Sequence, residues 1–124
     1  PLLRLPDIML IYAEAVNELN AGPDAEAYRQ INRIRTRANA TPFSGMNQDE
    51  FRSAVLEERA RELAYEADRR YDLFRWGIYL DVMNAIDMDE HNVTKRRLER
   101  NLLYPIPTSE VNSNDKIDVN NPGW

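Results

Sequence analysis

The sequence predicts a mainly helical chain with an antiparallel helix pair near its start and an extended tail rich in Pro and Asn. Three observations predict it. Apolar residues recur at helical spacing through three long stretches, and no stretch shows a strong period-two strand pattern. Gly, Pro, Asn and Asp fall where such helices should start and stop. The final segments, Leu102-Leu103-Tyr104-Pro105-Ile106-Pro107 and the Asn-rich stretch from Thr108, carry residues that favour extended or turn geometry.

In the first helix, expected over 7–20, Asp7 follows Pro6 and is the expected N-cap. Ile8, Ile11, Tyr12, Ala15 and Leu19 form one apolar face, and Leu10 with Ala13 a second, weaker one. Asn20-Ala21-Gly22-Pro23-Asp24 ends this helix and restarts the chain. A turn this short makes the next helix, 24–38, an antiparallel neighbour that buries Ala27, Tyr28, Ile31, Ile34 and Ala38.

After Thr41-Pro42-Phe43-Ser44-Gly45, Asn47 and Glu50 form a capping box. It opens a long third helix over 48–76, with Gly77 as terminator. At 100° per residue its side chains sort into four strips. One is apolar (Leu56, Ala60, Leu63, Ala64, Ala67, Tyr71, Phe74). The opposite strip mixes Phe51, Val55, Leu73 and Trp76 with Glu58, Glu62, Tyr65 and Arg69. Two charged ridges run between them. Apolar residues on opposite sides mean contact from two directions. A short helix over 78–86 and a charged, aperiodic stretch over 87–101 complete the chain before the tail.

Composition narrows the function. With 124 residues the chain is long enough for one domain with a modest core. Lys plus Arg total 16 against 21 for Asp plus Glu, a net charge of -5, which argues against a basic nucleic-acid surface. There is no Cys, which rules out thiolate chemistry and disulfides. No apolar run approaches the ~20 residues of a membrane-spanning helix. The chain opens at Pro1 without a targeting signal, and we read it as a piece of something longer.

Few residues suggest chemistry, and each has a plainer reading. His91 is the single histidine and lies beside Asp89 and Glu90, as an exposed loop histidine would. Glu58 and Glu62 stand one turn apart on a half-apolar strip, as an acid–base pair would. Arg59, Arg61 and Arg69 lie within helical reach, so an ion-pair network accounts for the two glutamates without catalysis. Glu66 belongs to the same expected network. Arg29, Arg33 and Arg37 form a self-repelling row that calls for facing carboxylates or an anionic ligand. Trp76, Tyr79, Tyr104 and Trp124 are the aromatics able to stack on a sugar ring. Core packing accounts for the first of them, and docking of the tail for the last. No metal ligand set, cofactor motif or catalytic residue is assigned.

Several segments, in this order, resemble the C-terminal part of the SusD/RagB family of outer-membrane nutrient-binding lipoproteins. They are Arg4-Leu5-Pro6-Asp7 with Tyr12-Ala13-Glu14-Ala15, Ile31 to Ala38, Glu58 to Glu66, Arg70 to Gly77, Tyr104-Pro105-Ile106-Pro107, and the final Asn-Pro-Gly-aromatic. The chain departs from the family pattern at Asp68, where glycine is common, and at Asn120, where glutamine is usual. The resemblance implies tetratricopeptide-like helix pairs, residues 1–124 being the C-terminal helical portion of a longer protein. It also implies a lipid anchor on an N-terminal Cys absent from this chain, on the outer face of the outer membrane. The implied role is non-enzymatic capture of oligosaccharides or other nutrients for a TonB-dependent, SusC-like transporter, with most glycan contacts upstream of Pro1. The alternatives are a generic helical interaction module and a glycosidase using Glu58 or Glu62.

Overall fold

A computed structural model describes residues 3–86 and 96–124. Every regular element among them is helical. The sequence reading expects one domain; the chain divides into two compact units, Pro1–Arg69 and Arg70–Trp124.

The first unit holds α1 (Leu5–Leu19), α2 (Ala25–Arg37) and α3 (Gln48–Glu62). Two of the expected starts are made as predicted. Asp24 accepts from the Ala27 backbone N–H at 2.8 Å. Asn47 and Glu50 close a full capping box. Asp7 does not cap α1: the N-cap is Arg4, Pro6 sits in the first turn, and Asp7 instead pairs with Arg59 at 2.8 Å. Asn17 near the end of α1 donates to the Gln48 carbonyl at the start of α3, at 3.0 Å. Start meets end at both contacts, so α1 runs antiparallel to α3.

The core consists of Met9, Leu10, Ala13, Ala27, Ile31, Ile34, Phe51 and Val55. Phe51 meets Tyr28 edge-on at 5.0 Å. The Tyr28 hydroxyl accepts from the Met46 N–H, and Asn32 bonds both the N–H and the carbonyl of Phe43, fastening the 38–47 loop to α2. One expectation for a helix face is corrected here. The weaker α1 face, with Leu10 and Ala13, is the buried one, whereas Ile8, Ile11, Tyr12 and Leu19 are exposed. The contacts of Asp7 and Asn17 with α3 set the rotation of α1 about its axis, and Met9 and Leu10 follow inward. In α3 the mixed strip of Phe51, Val55 and Glu58 faces the core, because the buried Glu58 has arginine partners. Ala38 is exposed.

The predicted helix over 48–76 is two helices. α3 ends at Glu62, and α4 spans Arg69–Arg75. Tyr65 and Ala67 between them adopt φ of 65° and 69°. A residue far along the chain sits at the break. In a continuous helix the Glu62 carbonyl would accept the Glu66 N–H. Here Arg4 donates to that carbonyl at 2.9 Å, and the Glu66 N–H turns to Leu63 O at 3.1 Å. Arg4 also grips both carboxylate oxygens of Glu66, at 2.5 and 2.8 Å, a fork geometry that favours arginine over lysine. A left-handed non-glycine residue costs about 1–2 kcal/mol, and these contacts offset that strain. The left-handed residues Tyr65 and Ala67 lie just before Asp68, the position where glycine is common in the resembled family.

The second unit comprises the rest of α4, α5 (Tyr79–Asn84), a 3-10 turn (Glu99–Leu102) and α6 (Thr108–Ser113). Gly77, at φ 72°, turns the chain from α4 into α5. This left-handed residue just past a helix end suits glycine. α5 is shorter than the predicted 78–86. The tail is not extended throughout, since α6 interrupts it. It folds back mainly on itself and on the 3-10 turn rather than onto the helices as expected, and Leu102, Leu103 and Tyr104 stay exposed. Asn120 bonds both the N–H and the carbonyl of Ile106, and Asn121 donates to Tyr104 O at 2.6 Å. Trp124 donates from its ring nitrogen to Arg100 O at 2.9 Å. Gly123 lies so close to Arg100 that a Cβ there would come within 2.8 Å of the arginine Cβ.

Candidate functional site

His91 lies outside the described residues. The glutamates singled out from the sequence are all engaged by arginines. Glu58 receives Arg35 at 2.6 Å and stands 3.7 Å from Arg61. Glu62 receives Arg4 at 3.1 Å and also Arg37. Glu66 receives Arg4. Arg35 is itself held by Thr41 O at 2.6 Å and by the Phe43 ring at 3.7 Å. A cavity of about 420 Å³ between α2 and α3 is lined by residues including Arg35, Phe43, Glu57 and Arg61, and by neither Glu58 nor Glu62. A general acid or base must reach a substrate with a free oxygen. Glu62 spends both oxygens on Arg4 and Arg37, and Glu58 its Oε2 on Arg35 and Arg61, so ion pairs between and along the helices account for this cluster as a scaffold joint.

The arginine row on α2 is partly neutralised. Arg29 pairs with Glu26 and Arg37 with Glu62. The Arg33 side chain makes no ion pair or hydrogen bond among the described residues. At the end of α1 another pair forms: Arg52 grips Glu18 at 2.6 and 2.7 Å. Those hydrogen bonds hold the Glu18 carboxyl below its ordinary range, against a smaller opposing effect of desolvation.

The aromatics gather in the second unit around arginines. Tyr79 is buried and stacks on Phe74 at 4.3 Å. The Arg70 guanidinium lies over the rings of Tyr104, Phe74 and Tyr79, at 4.5, 5.1 and 5.8 Å. Its Nε is buried and has no hydrogen-bond partner. Trp76 carries Arg75 at 4.6 Å, and Trp124 carries Arg100 at 5.2 Å. Of the four aromatics named from sequence, Tyr79 and Tyr104 are thus brought together around one cation, while Trp76 and Trp124 each engage another. Sequence reasoning did not single out Arg70 or Phe74. Arg70 and Phe74 stand one turn apart on α4, a spacing that could have signalled their contact; only Tyr104 reaches the cluster from far along the chain. Among the described residues there is no metal-ligating cluster of His, Cys, Asp or Glu, and no helix is long and apolar enough to cross a membrane.

Comparison with known proteins supplies what these contacts do not. The family model described as the SusD family (SusD_RagB) matches residues 1–124, the whole chain. The chain belongs to the SusD family. A SusD-like protein of Formosa agariphila is 41% identical, over 98% of this chain and 24% of that protein. The starch-binding protein SusD of Bacteroides thetaiotaomicron is 34% identical, over 97% of this chain and 21% of that protein. The crystal structure of a SusD homolog from Bacteroides thetaiotaomicron superposes with a TM-score of 0.80 at 35% identity, covering 98% of this chain and 26% of that one. The chain therefore has the tetratricopeptide-like helical fold of SusD proteins. It spans about a quarter of the length of the curated relatives it matches.

Proposed function

We propose that this chain is the C-terminal helical part of a cell-surface protein that binds oligosaccharides without cleaving them. The complete protein sits on the outer face of the outer membrane through an N-terminal lipid and passes its glycan to a SusC-like, TonB-dependent transporter. The observation that carries this reading is the family match over all 124 residues together with a relative named as a starch-binding protein. The side chains agree with it: the two glutamates that would serve a glycosidase, Glu58 and Glu62, are committed to Arg35, Arg4 and Arg37. A helical scaffold of this sort holds a binding surface in place by rigid ion pairs and tail clamps.

Calorimetric titration of oligosaccharides into the full-length ectodomain and into the 124-residue chain tests the reading. Binding by the ectodomain, no tight binding by the chain alone, and no released sugar are expected. Equal, tight binding by both would place the principal site within this chain. Sugar release abolished by Glu58→Gln or Glu62→Gln would make the protein a glycosidase.

A further inference from the structure

The second unit contains a cleft that no role described so far uses. It lies between the end of α4, the start of α5 and the 3-10 turn, and has a volume of about 530 Å³, within the range of small-ligand sites. Phe74, Tyr79, Leu80 and Leu102 give it an apolar lining, and Asp81 and Glu99 bring two carboxylates to it.

Three features suit a carbohydrate. The aromatic part of the lining is preformed, because Phe74 and Tyr79 stack at 4.3 Å and the Arg70 guanidinium lies over them at 5.1 and 5.8 Å. A preformed wall avoids the ordering cost that weakens binding. The two carboxylates are exposed, and neither has an ion pair or a side-chain hydrogen bond among the described residues. Ionised carboxylates only accept hydrogen bonds, so they match a ligand rich in hydroxyl donors. The C–H face of a pyranose, in turn, packs on apolar and aromatic walls by dispersion. A ligand carrying its own carboxylate would meet like charge from Asp81 and Glu99.

We propose that this cleft is an accessory carbohydrate subsite that takes a neutral pyranose and disfavours acidic sugars. The proposal rests on the oligosaccharide-binding reading above and adds a location and a charge preference to it. A single sugar ring in an open cleft binds weakly. The subsite would therefore extend the grip of a principal site on a longer chain, by the effective concentration that linkage provides.

The test is nuclear magnetic resonance of the isotope-labelled 124-residue chain, with its helicity checked in the same sample by circular dichroism, and of the full-length ectodomain. The probes are methyl β-glucoside and glucuronate. Saturable shifts of the Gly77, Leu80, Asp81 and Leu102 amides with the glucoside are expected. Glucuronate should bind more weakly by roughly five-fold, the effect of one like-charge contact near water. Asp81→Asn with Glu99→Gln should remove that discrimination. Leu102→Ala, at a residue already 38% exposed, should weaken both sugars while leaving the fold intact. Shifts elsewhere, shifts that do not saturate, or equal response to both sugars would overturn the subsite. If the ectodomain binds oligosaccharides equally well with and without Leu102→Ala, the subsite falls and the proposed function stands. If the ectodomain binds no oligosaccharide at all, both fall.

Discussion

Replacing Glu58 with glutamine separates a scaffold carboxylate from a catalytic one. The Glu58 and Arg35 side chains are only 6% and 13% exposed, and their nearest atoms lie 2.6 Å apart. Removing one partner of a buried pair outright costs roughly 3–5 kcal/mol, because the other charge is stranded. Glutamine does less damage. It keeps the volume and one carbonyl oxygen for Arg35, so the loss is closer to that of one charge-assisted hydrogen bond, about 2 kcal/mol. Arg35 does not escape into water easily, since Thr41 O and the Phe43 ring hold it at 2.6 and 3.7 Å. At ~2.1 cal/mol/K of unfolding entropy per residue, 2 kcal/mol lowers the melting temperature of a chain this size by about 8 °C. Thermal melts followed by far-UV circular dichroism would measure it for the wild type, Glu58→Gln, Arg35→Met and the double variant. The double variant should melt higher than the sum of the single losses implies, because it strands no charge. A Glu58→Gln chain melting within about 2 °C of wild type would refute a buried, stabilising pair. Unchanged melting with loss of a sugar-releasing activity would refute the scaffold role itself.

Ala67→Gly should stabilise the chain by up to about 1 kcal/mol, since relief of the left-handed strain exceeds the added freedom of the unfolded glycine. A melting temperature that falls would show that residue 67 is not held at positive φ. Gly123→Ala introduces both a contact with Arg100 and an unfavourable φ of 87°, so it should release Trp124 and shift its fluorescence to the red; an unchanged spectrum would contradict the docked tail. Acidification should weaken the Glu18–Arg52 joint. Glu18 titrates below its ordinary value in the folded chain, so its contribution is present above the unfolded-state pKa and is lost as pH falls through the lower folded one. The effect is small, the two side chains being 38% and 43% exposed. Glu18→Gln should flatten the acid limb of the stability profile by that amount, and an identical limb would rule the joint out.

Much of this structure is legible in local sequence. Asp24 and the Asn47–Glu50 box mark helix starts because a side-chain oxygen satisfies backbone N–H groups only a few residues away. Gly77 marks a helix end because one backbone angle favours glycine. The arginine partners of Glu58 and Glu62 were expected in kind but not in person: the sequence pointed to Arg59, Arg61 and Arg69, and the structure supplies chiefly Arg35, Arg4 and Arg37. Helical periodicity detects that α1 has two apolar faces. It cannot rank them, because the ranking is made by Arg59 and Gln48 on α3, far along the chain. The same holds for the break after Glu62. Helical periodicity carries on from Gln48 to Trp76, and the break falls where Arg4, far along the chain, binds the Glu62 carbonyl. Tyr104 likewise joins the cluster around Arg70 only when the tail returns. Propensity, capping and periodicity act over one or two turns and are written in the order of residues. Which face is buried, where a continuous helix gives way and which rings share a cation depend on partners brought together by folding, and those were decided by the tertiary structure alone.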